Sequence, residues 1–197
     1  MLAEMRIIAG ELKGRRLESP DWPGVRPTSD RLRETLFNVL GERVSGARVL
    51  DACAGTGALG LEALSRGARS VVFLERERRA VSLIIGHVQR FRMLGRSEVV
   101  CGTLPGIMND ESIVGFFDLI LLDPPYETPE IDAILSGVGR RLFPRGLLVL
   151  ERRRRSSRPT GVGLHSVRVV SSGKSLLEFF EVSEFSLYSI DKELKQY

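Results

Sequence analysis

Val49-Leu50-Asp51-Ala52-Cys53-Ala54-Gly55-Thr56-Gly57-Ala58-Leu59-Gly60 is the stretch whose reading decides the fold. Apolar residues after Arg48 read as a short buried strand, and Asp51 closes it. A glycine-rich turn follows, and Thr56 opens a helix that runs to Ser65 and stops at Gly67. In an open parallel sheet, ligands bind outside the carboxyl ends of the strands, so this turn marks a ligand edge. Glycines let the backbone approach a ligand closely, and the next helix aims its free N–H groups at it. The spacing Gly55-x-Gly57-x-x-Gly60 also satisfies the dinucleotide fingerprint, which alone leaves the choice of nucleotide cofactor open. A carboxylate just before the turn meets an ammonium group better than a pyrophosphate, which argues against a nicotinamide cofactor.

Strands and helices alternate outward from this point. Strands are expected at 70–74, with Glu75 at the end, and at 98–101, 117–122 and 146–150. Helices are expected over 76–94, with Ala80, Leu83, Ile84, His87, Val88 and Phe91 on one side, and from Pro129 to about Val138. Residues 104–114 read as a weak helix and a loop. Two further strands, 164–170 and 176–182, flank a turn at 171–174 and break the alternation. The fold class is therefore α/β, with a seven-stranded, mostly parallel sheet and an antiparallel edge strand. Upstream, Met5 to Leu17 reads as a small β-hairpin with Lys13, Arg15 and Arg16 at its basic end. A helix follows, with Thr28, Ser29 or Asp30 able to cap its start and its end near Gly41; Leu32, Leu36, Val39 and Leu40 form its apolar stripe and Arg31, Arg33 and Glu34 face elsewhere. The expected divisions are an arm over 1–24, a main domain over 25–190 and a tail over 191–197.

Asp123-Pro124-Pro125-Tyr126 directly follows the 117–122 strand, at the same sheet edge as the glycine turn. Two prolines stiffen a turn, but stiffness alone does not explain an acid and an aromatic placed around them. An exocyclic amine of guanine or adenine is a poor nucleophile, because its lone pair is delocalised into the ring. Asp123 and the Pro124 carbonyl can both accept hydrogen bonds from such an amine, orienting the lone pair and stabilising the charge that develops on nitrogen. Pro124 and Pro125 hold these acceptors fixed, and Tyr126 can stack on the base. No histidine base is required, so His87 and His165 are read as structural or surface residues.

Composition limits the class. The chain has 197 residues, 43% of them apolar and 27% charged, as in an ordinary soluble globular protein. It shows no secretory signal pattern at residues 1–6, and its only cysteines are Cys53 and Cys101, read as small core residues of a cytoplasmic protein without a metal site. The net charge of +4 is concentrated in arginine clusters, including Arg152 to Arg155, which suits a phosphate-rich partner.

Met5-Arg-Ile-Ile-Ala-Gly10, Lys13-Gly-Arg15, the block Arg26-Pro-Thr-Ser-Asp-Arg-Leu-Arg-Glu-Thr-Leu-Phe-Asn38, Asp51 to Ser65 and Asp123-Pro-Pro-Tyr126 together resemble the RsmD-type 16S ribosomal RNA guanine-N2 methyltransferases. The resemblance runs from about Met5 to Val182. It implies a Rossmann-like S-adenosylmethionine (SAM)-dependent methyltransferase fold with a small N-terminal hairpin and helix extension. It also implies methyl transfer to N2 of one guanosine in 16S ribosomal RNA, free or in an assembling small subunit, by a monomer that uses neither metal nor membrane. The implied cofactor set is Asp51, Ala52, Gly55, Thr56, Gly57, Glu75, Arg76, Gly102, Thr103 and Asp123, with Glu75 on the ribose hydroxyls. Asp123, Pro124, Pro125 and Tyr126 form the implied catalytic set. Arg6, Lys13, Arg15, Arg26, Thr28, Arg31 and Arg33 form the implied RNA contacts; the arginine run after Glu151 is more extreme than the family's, and Arg152 and Arg153 in it are read as an added phosphate contact, with a solvated loop as the alternative. The family commonly has an Asp or Asn after the third strand to hold the adenine amine. Here the segment reads Val99-Val-Cys-Gly-Thr103, so Thr103, or backbone at Cys101 and Gly102, must substitute. A DNA amino-methyltransferase and an inactive RNA-binding assembly factor are the competing readings. No stretch is left over for a DNA target-recognition domain, and the intact Asp123, Tyr126 and glycine turn oppose the inactive factor.

Overall fold

The computed structural model describes residues 5–18, 28–109, 113, 115–125 and 128–183. Its strands are β1 (Arg48–Asp51), β2 (Ser70–Glu75), β3 (Ser97–Cys101), β4 (Phe117–Leu122), β5 (Leu142–Arg153), β6 (Leu164–Ser172) and β7 (Ser175–Val182). They form one mixed sheet in the order β3-β2-β1-β4-β5-β7-β6. The helices are α1 (Asp30–Leu40), α2 (Ala58–Ser65), α3 (Arg78–Arg90) and α4 (Ile131–Gly139). The chain divides into two compact units, Met1–Thr103 and Leu104–Tyr197. Among the described residues, no helix is long and apolar enough to cross a membrane.

In the first unit β1 pairs in parallel with β2, and β2 with β3. The apolar run Val71 to Leu74 is buried on both faces, as expected for a covered parallel strand. All eight residues of α2 are buried, which a helix lying on one face of a sheet does not achieve by itself. The N-terminal segment covers its outer side. There the Ile7 N–H donates to the Arg15 carbonyl (2.9 Å) and the Leu17 N–H to the Met5 carbonyl (2.8 Å). The expected hairpin is present as pairing, but it contains one isolated bridge, Arg6 to Arg16, rather than two strands. Ser29 caps α1 through its hydroxyl, and the helix ends at Gly41 with φ 52°. Its buried face includes Phe37 and Arg33 beside Leu32, Leu36 and Leu40, while Val39 is only half-buried. The expectation that Arg33 faces outward is thus corrected. The helix expected to reach residue 94 stops at Arg90, because Arg92 takes φ 60°, a left-handed conformation incompatible with a continuing helix. Cys101, expected in the core, is exposed, and Cys53 is half-buried.

In the second unit, β4 is a nearly unbroken apolar run. Phe117 and Leu119 to Leu122 are at most 1% exposed, and each such side chain contributes about 1.5–3 kcal/mol by its burial. β5 is twelve residues long, starting at Leu142 rather than 146. Leu142 pairs with Phe117, and a register shift follows between Phe117 and Leu119. The strand also runs on into the arginine tract, as far as Arg153. β7 lies antiparallel between β5 and β6, so the antiparallel element expected at the edge is a strand pair. Between 104 and 114, the only described helical turn is a single 3-10 turn at Gly106–Asn109.

Candidate cofactor and base site

In the first unit the turn after β1 is built around two carboxylates. Asp51, at the last position of β1, accepts the Gly60 N–H at 2.8 Å on Oδ2. This ties the strand end to the first turn of α2. Its Oδ1 is buried without a partner. Burial pushes the Asp51 carboxyl from its ordinary 3.8 up to about 7. The Gly60 hydrogen bond opposes that rise and the Glu75 charge adds to it. Glu75, at the end of β2, accepts the Gly55 N–H on one oxygen and the Glu77 N–H on the other, each at 2.8 Å. Each carboxylate oxygen has room for a second hydrogen bond, and Glu75 is only half-buried, so it can also receive a pair of hydroxyls. Gly55 and Gly57 take φ of 53° and 77°, which their residue type permits. Gly60 serves another purpose, because a Cβ there would stand 2.3 Å from the Phe73 ring. The third glycine of the fingerprint is therefore required by helix-on-strand packing.

Gly102 and Thr103, the residues expected at the adenine end, directly follow β3. The Gly102 N–H donates to the Glu75 carbonyl at 3.0 Å. That donor is already committed, which leaves the exposed Thr103 as the polar side chain of the segment. Arg76 is exposed beside Glu75, and Ala52 is buried within the turn.

The arm reaches this turn through three residues that the sequence reading did not single out for function. Glu62, fully buried on α2, accepts the Ile8 N–H at 2.7 Å and the Ala9 N–H at 3.0 Å, and pairs with Arg66. Ser65 accepts the Leu12 N–H at 2.9 Å and donates to the Ala9 carbonyl. His87 accepts the Glu18 N–H on Nε2 (3.0 Å), while its Nδ1 lies 3.2 Å from the Thr56 carbonyl of the glycine turn. Burial holds the His87 imidazole below its usual range. The Thr56 carbonyl opposes that shift, Arg90 adds to it and Glu18 again opposes it. The available signal was a Glu and a Ser three residues apart on a helix otherwise made of Ala, Leu and Gly.

Of the implied RNA contacts, Lys13, Arg15 and Arg31 are exposed, Thr28 is half-buried, and Arg6 is exposed with its Nε 3.8 Å from Asp30. Arg33 is not available to RNA. It is 0% exposed, donates to the Arg6 carbonyl (2.8 Å) and to Asp30 (2.6 Å), and so fastens the arm to α1. Arg152 is likewise engaged, its Nε 2.8 Å from the buried Glu178, whereas Arg153 is exposed. Arg26 and Tyr126 lie outside the described residues.

In the second unit Asp123 directly follows β4 and is half-buried, Pro124 is buried and Pro125 exposed. The Thr128 hydroxyl donates to the Pro125 carbonyl at 2.6 Å, bracing the turn from its far end. A strand end, two fixed φ angles and this hydrogen bond leave the Asp123–Pro125 backbone little freedom.

The family described as Conserved hypothetical protein 95 matches residues 5–181. The putative rRNA methyltransferase YlbH of Bacillus subtilis is 32% identical over 163 residues, covering 81% of this chain and 88% of that protein. The ribosomal RNA small subunit methyltransferase D of Escherichia coli K12 is 39% identical over 123 residues, 62% of this chain and 61% of that protein. Among solved structures, the putative methyltransferase yhhF from Escherichia coli superposes with a TM-score of 0.80 at 30% identity, covering 91% of this chain and 98% of that one. The chain belongs to this RsmD-type methyltransferase family.

Proposed function

We propose that the protein transfers a methyl group from SAM to the exocyclic N2 amine of a guanosine in 16S ribosomal RNA, free or in an assembling small subunit. The observation that carries this reading is the rigid Asp123-Pro124-Pro125 turn at the carboxyl end of β4. The first unit's residues fit SAM. The buried, unpartnered Asp51 Oδ1 stands behind the glycine turn, where a positive ammonium would be favoured. Glu75 has acceptor capacity for ribose hydroxyls, and Gly55 and Gly57 leave the backbone open to close approach. When bound, SAM supplies a methyl group activated by its sulfonium.

The chain's own contribution is orientation and electrostatics. The Asp123 carboxylate and Pro124 carbonyl each accept an N–H of the guanine amine, which turns the nitrogen lone pair out of conjugation. The carboxylate stabilises the positive charge that grows on nitrogen, then receives the proton that nitrogen releases. The reading requires Asp123 to face the cofactor's methyl group, and Tyr126 to cover the base. On this reading the protein works in the cytoplasm as a monomer, and the exposed Lys13, Arg15 and Arg31 meet RNA phosphates.

Labelled SAM offered with unmethylated small subunits, naked 16S RNA and DNA, followed by nucleoside analysis, tests the proposal. N2-methylguanosine is the expected product. Label in N6-methyladenine of DNA would overturn it.

A further inference from the structure

The second unit holds a cavity of about 300 Å³ whose wall includes Pro124 and Pro125, so on the reading above it is the space for the target base. A carboxylate and a carbonyl on a rigid turn accept the amino group of guanine, adenine or cytosine alike, and leave the choice of base open. We infer that Arg152 makes that choice: its guanidinium donates to O6 and N7 of the target guanine, and so selects guanine over adenine and cytosine. This rests on the RNA methyltransferase reading and names the residue that sets base specificity at the same site.

Arg152 lies near the end of β5 and lines this cavity. Its Nε donates to Glu178 at 2.8 Å, and its Nη1 to the Ser156 carbonyl at 3.4 Å. Glu178 is itself held, because Arg158 donates to its other oxygen at 2.9 Å. These contacts fix the plane of the Arg152 guanidinium but use only two of its five N–H groups. Among the described residues nothing else takes the remaining donors. The Arg152 side chain keeps 14% exposure where that of Glu178 keeps none, so those donors stay within reach of a ligand. A planar fork held in this way is pre-organised for two acceptors side by side.

The three amino bases differ in what they show on the side away from the amine. Guanine, held by N2 at the turn, presents O6 and N7 across the ring, the pair that an arginine fork reads bidentately. Adenine held by N6 has only N3 there, and cytosine held by N4 has only O2. Thr128, also in the wall, commits its hydroxyl proton to the Pro125 carbonyl at 2.6 Å, so its oxygen meets a ligand as an acceptor. Guanine carries an N1–H next to its amine and can donate to that oxygen. Adenine and cytosine carry a bare ring nitrogen at the corresponding place. Both polar wall residues therefore favour guanine.

The test compares small-subunit RNA carrying guanosine or 7-deazaguanosine at the mapped methylation position. The deaza base keeps the amine, N1–H and O6 and lacks N7 alone. Wild-type kcat/KM should fall about tenfold with 7-deazaguanosine. Arg152→Lys keeps the charge and loses the fork, so it should lower kcat/KM on natural RNA by a similar factor and show no further loss with the deaza RNA. SAM affinity should be unchanged. Arg158→Ala removes the other Glu178 partner without altering the cavity wall, and should retain the full deaza loss. Disappearance of that loss in Arg158→Ala as well would assign it to the Glu178 clasp and overturn the inference. A wild type that methylates both RNAs equally well, or an Arg152→Lys enzyme that keeps the full deaza loss, would also overturn it while leaving the methyltransferase reading intact. Should Arg152→Lys fail to fold, the wild-type comparison decides alone: a tenfold loss supports the inference and equal rates overturn it. Absence of any RNA methylation by the wild type would overturn the parent reading and this one together.

Discussion

Asp51 has the unusual task of being half-ionised near neutrality inside a wall that faces a proposed cation site. Its folded pKa of about 7 lies above the ordinary 3.8. Its contribution to stability is therefore complete below about pH 4 and is lost as the pH rises through 7. A bound ammonium favours the charged carboxylate, so SAM binding should release a proton. Affinity for SAM should tighten about tenfold between pH 6 and pH 8, read by calorimetry in buffers of different ionisation enthalpy, and Asp51→Asn should flatten the profile. A pH-independent affinity in the wild type would detach Asp51 from the cofactor. On the proposed reading Asp123 acts on the other substrate. Asp123→Ala should lower transfer by about 100-fold or more while SAM titration gives a near-wild-type Kd. At this scale the sequence was informative about identity and weak about environment. Strand ends and turns place Asp51, Glu75 and Asp123 by local rules. The burial of Arg33 depends on the arm closing over α1, a contact between segments 27 residues apart that no local pattern encodes.

Among the elements, the arm depends most on distant partners. Gly10 sits with φ 80°, and a Cβ there would lie 1.8 Å from the Ser65 carbonyl oxygen. Gly10→Ala should cost at least about 1–2 kcal/mol from the left-handed backbone alone, seen as a melting point lower by several degrees and faster proteolysis after Lys13 or Arg15. His87 makes the same attachment depend on pH. With its pKa held below the usual value, it is neutral in the folded protein and accepts the Glu18 N–H. The stability it lends is present above about pH 6.5 and is lost as the pH falls below that. Amide exchange at Glu18 should accordingly quicken between pH 7.5 and pH 5.5, after correction for the intrinsic rate, and should be pH-independent in His87→Gln. Most elements were legible because each carries its own signal. β1 and β4 have the bounds that their apolar runs suggest. β5 was read short because exposed Pro144 and Arg145 interrupt its apolar pattern, and only pairing of Leu142 with Phe117 extends it.

For the molecule as a whole, the excess of +4 matters through where it can reach a strand of RNA. Arg33 and Arg152 are tied to Asp30 and Glu178, so the arginine tract should act through its exposed tip. Replacing Arg154 and Arg155 by alanine should reduce the slope of log affinity against log salt by about 1.4 if each meets one phosphate of a single strand. An unchanged slope would show that the tip makes no phosphate contact. The α/β class and most of the strand sequence followed from alternating local patterns, which parallel sheets impose on a chain. The arm's docking did not, because it joins residues far apart. That separation also has a consequence in time. The segment beginning at Met5 is made before its partners: Ser65 and His87 follow the residues they hold by 53 and 69 positions. At a synthesis rate of about 5–20 residues per second, the arm waits roughly 3–14 s for His87 to be made. Through that interval Ile7, Leu12 and Leu17, all buried in the finished protein, have no core to enter. Until then the nascent chain carries a basic, apolar-studded segment without its core, and what shields that segment is a question for translation rather than for catalysis.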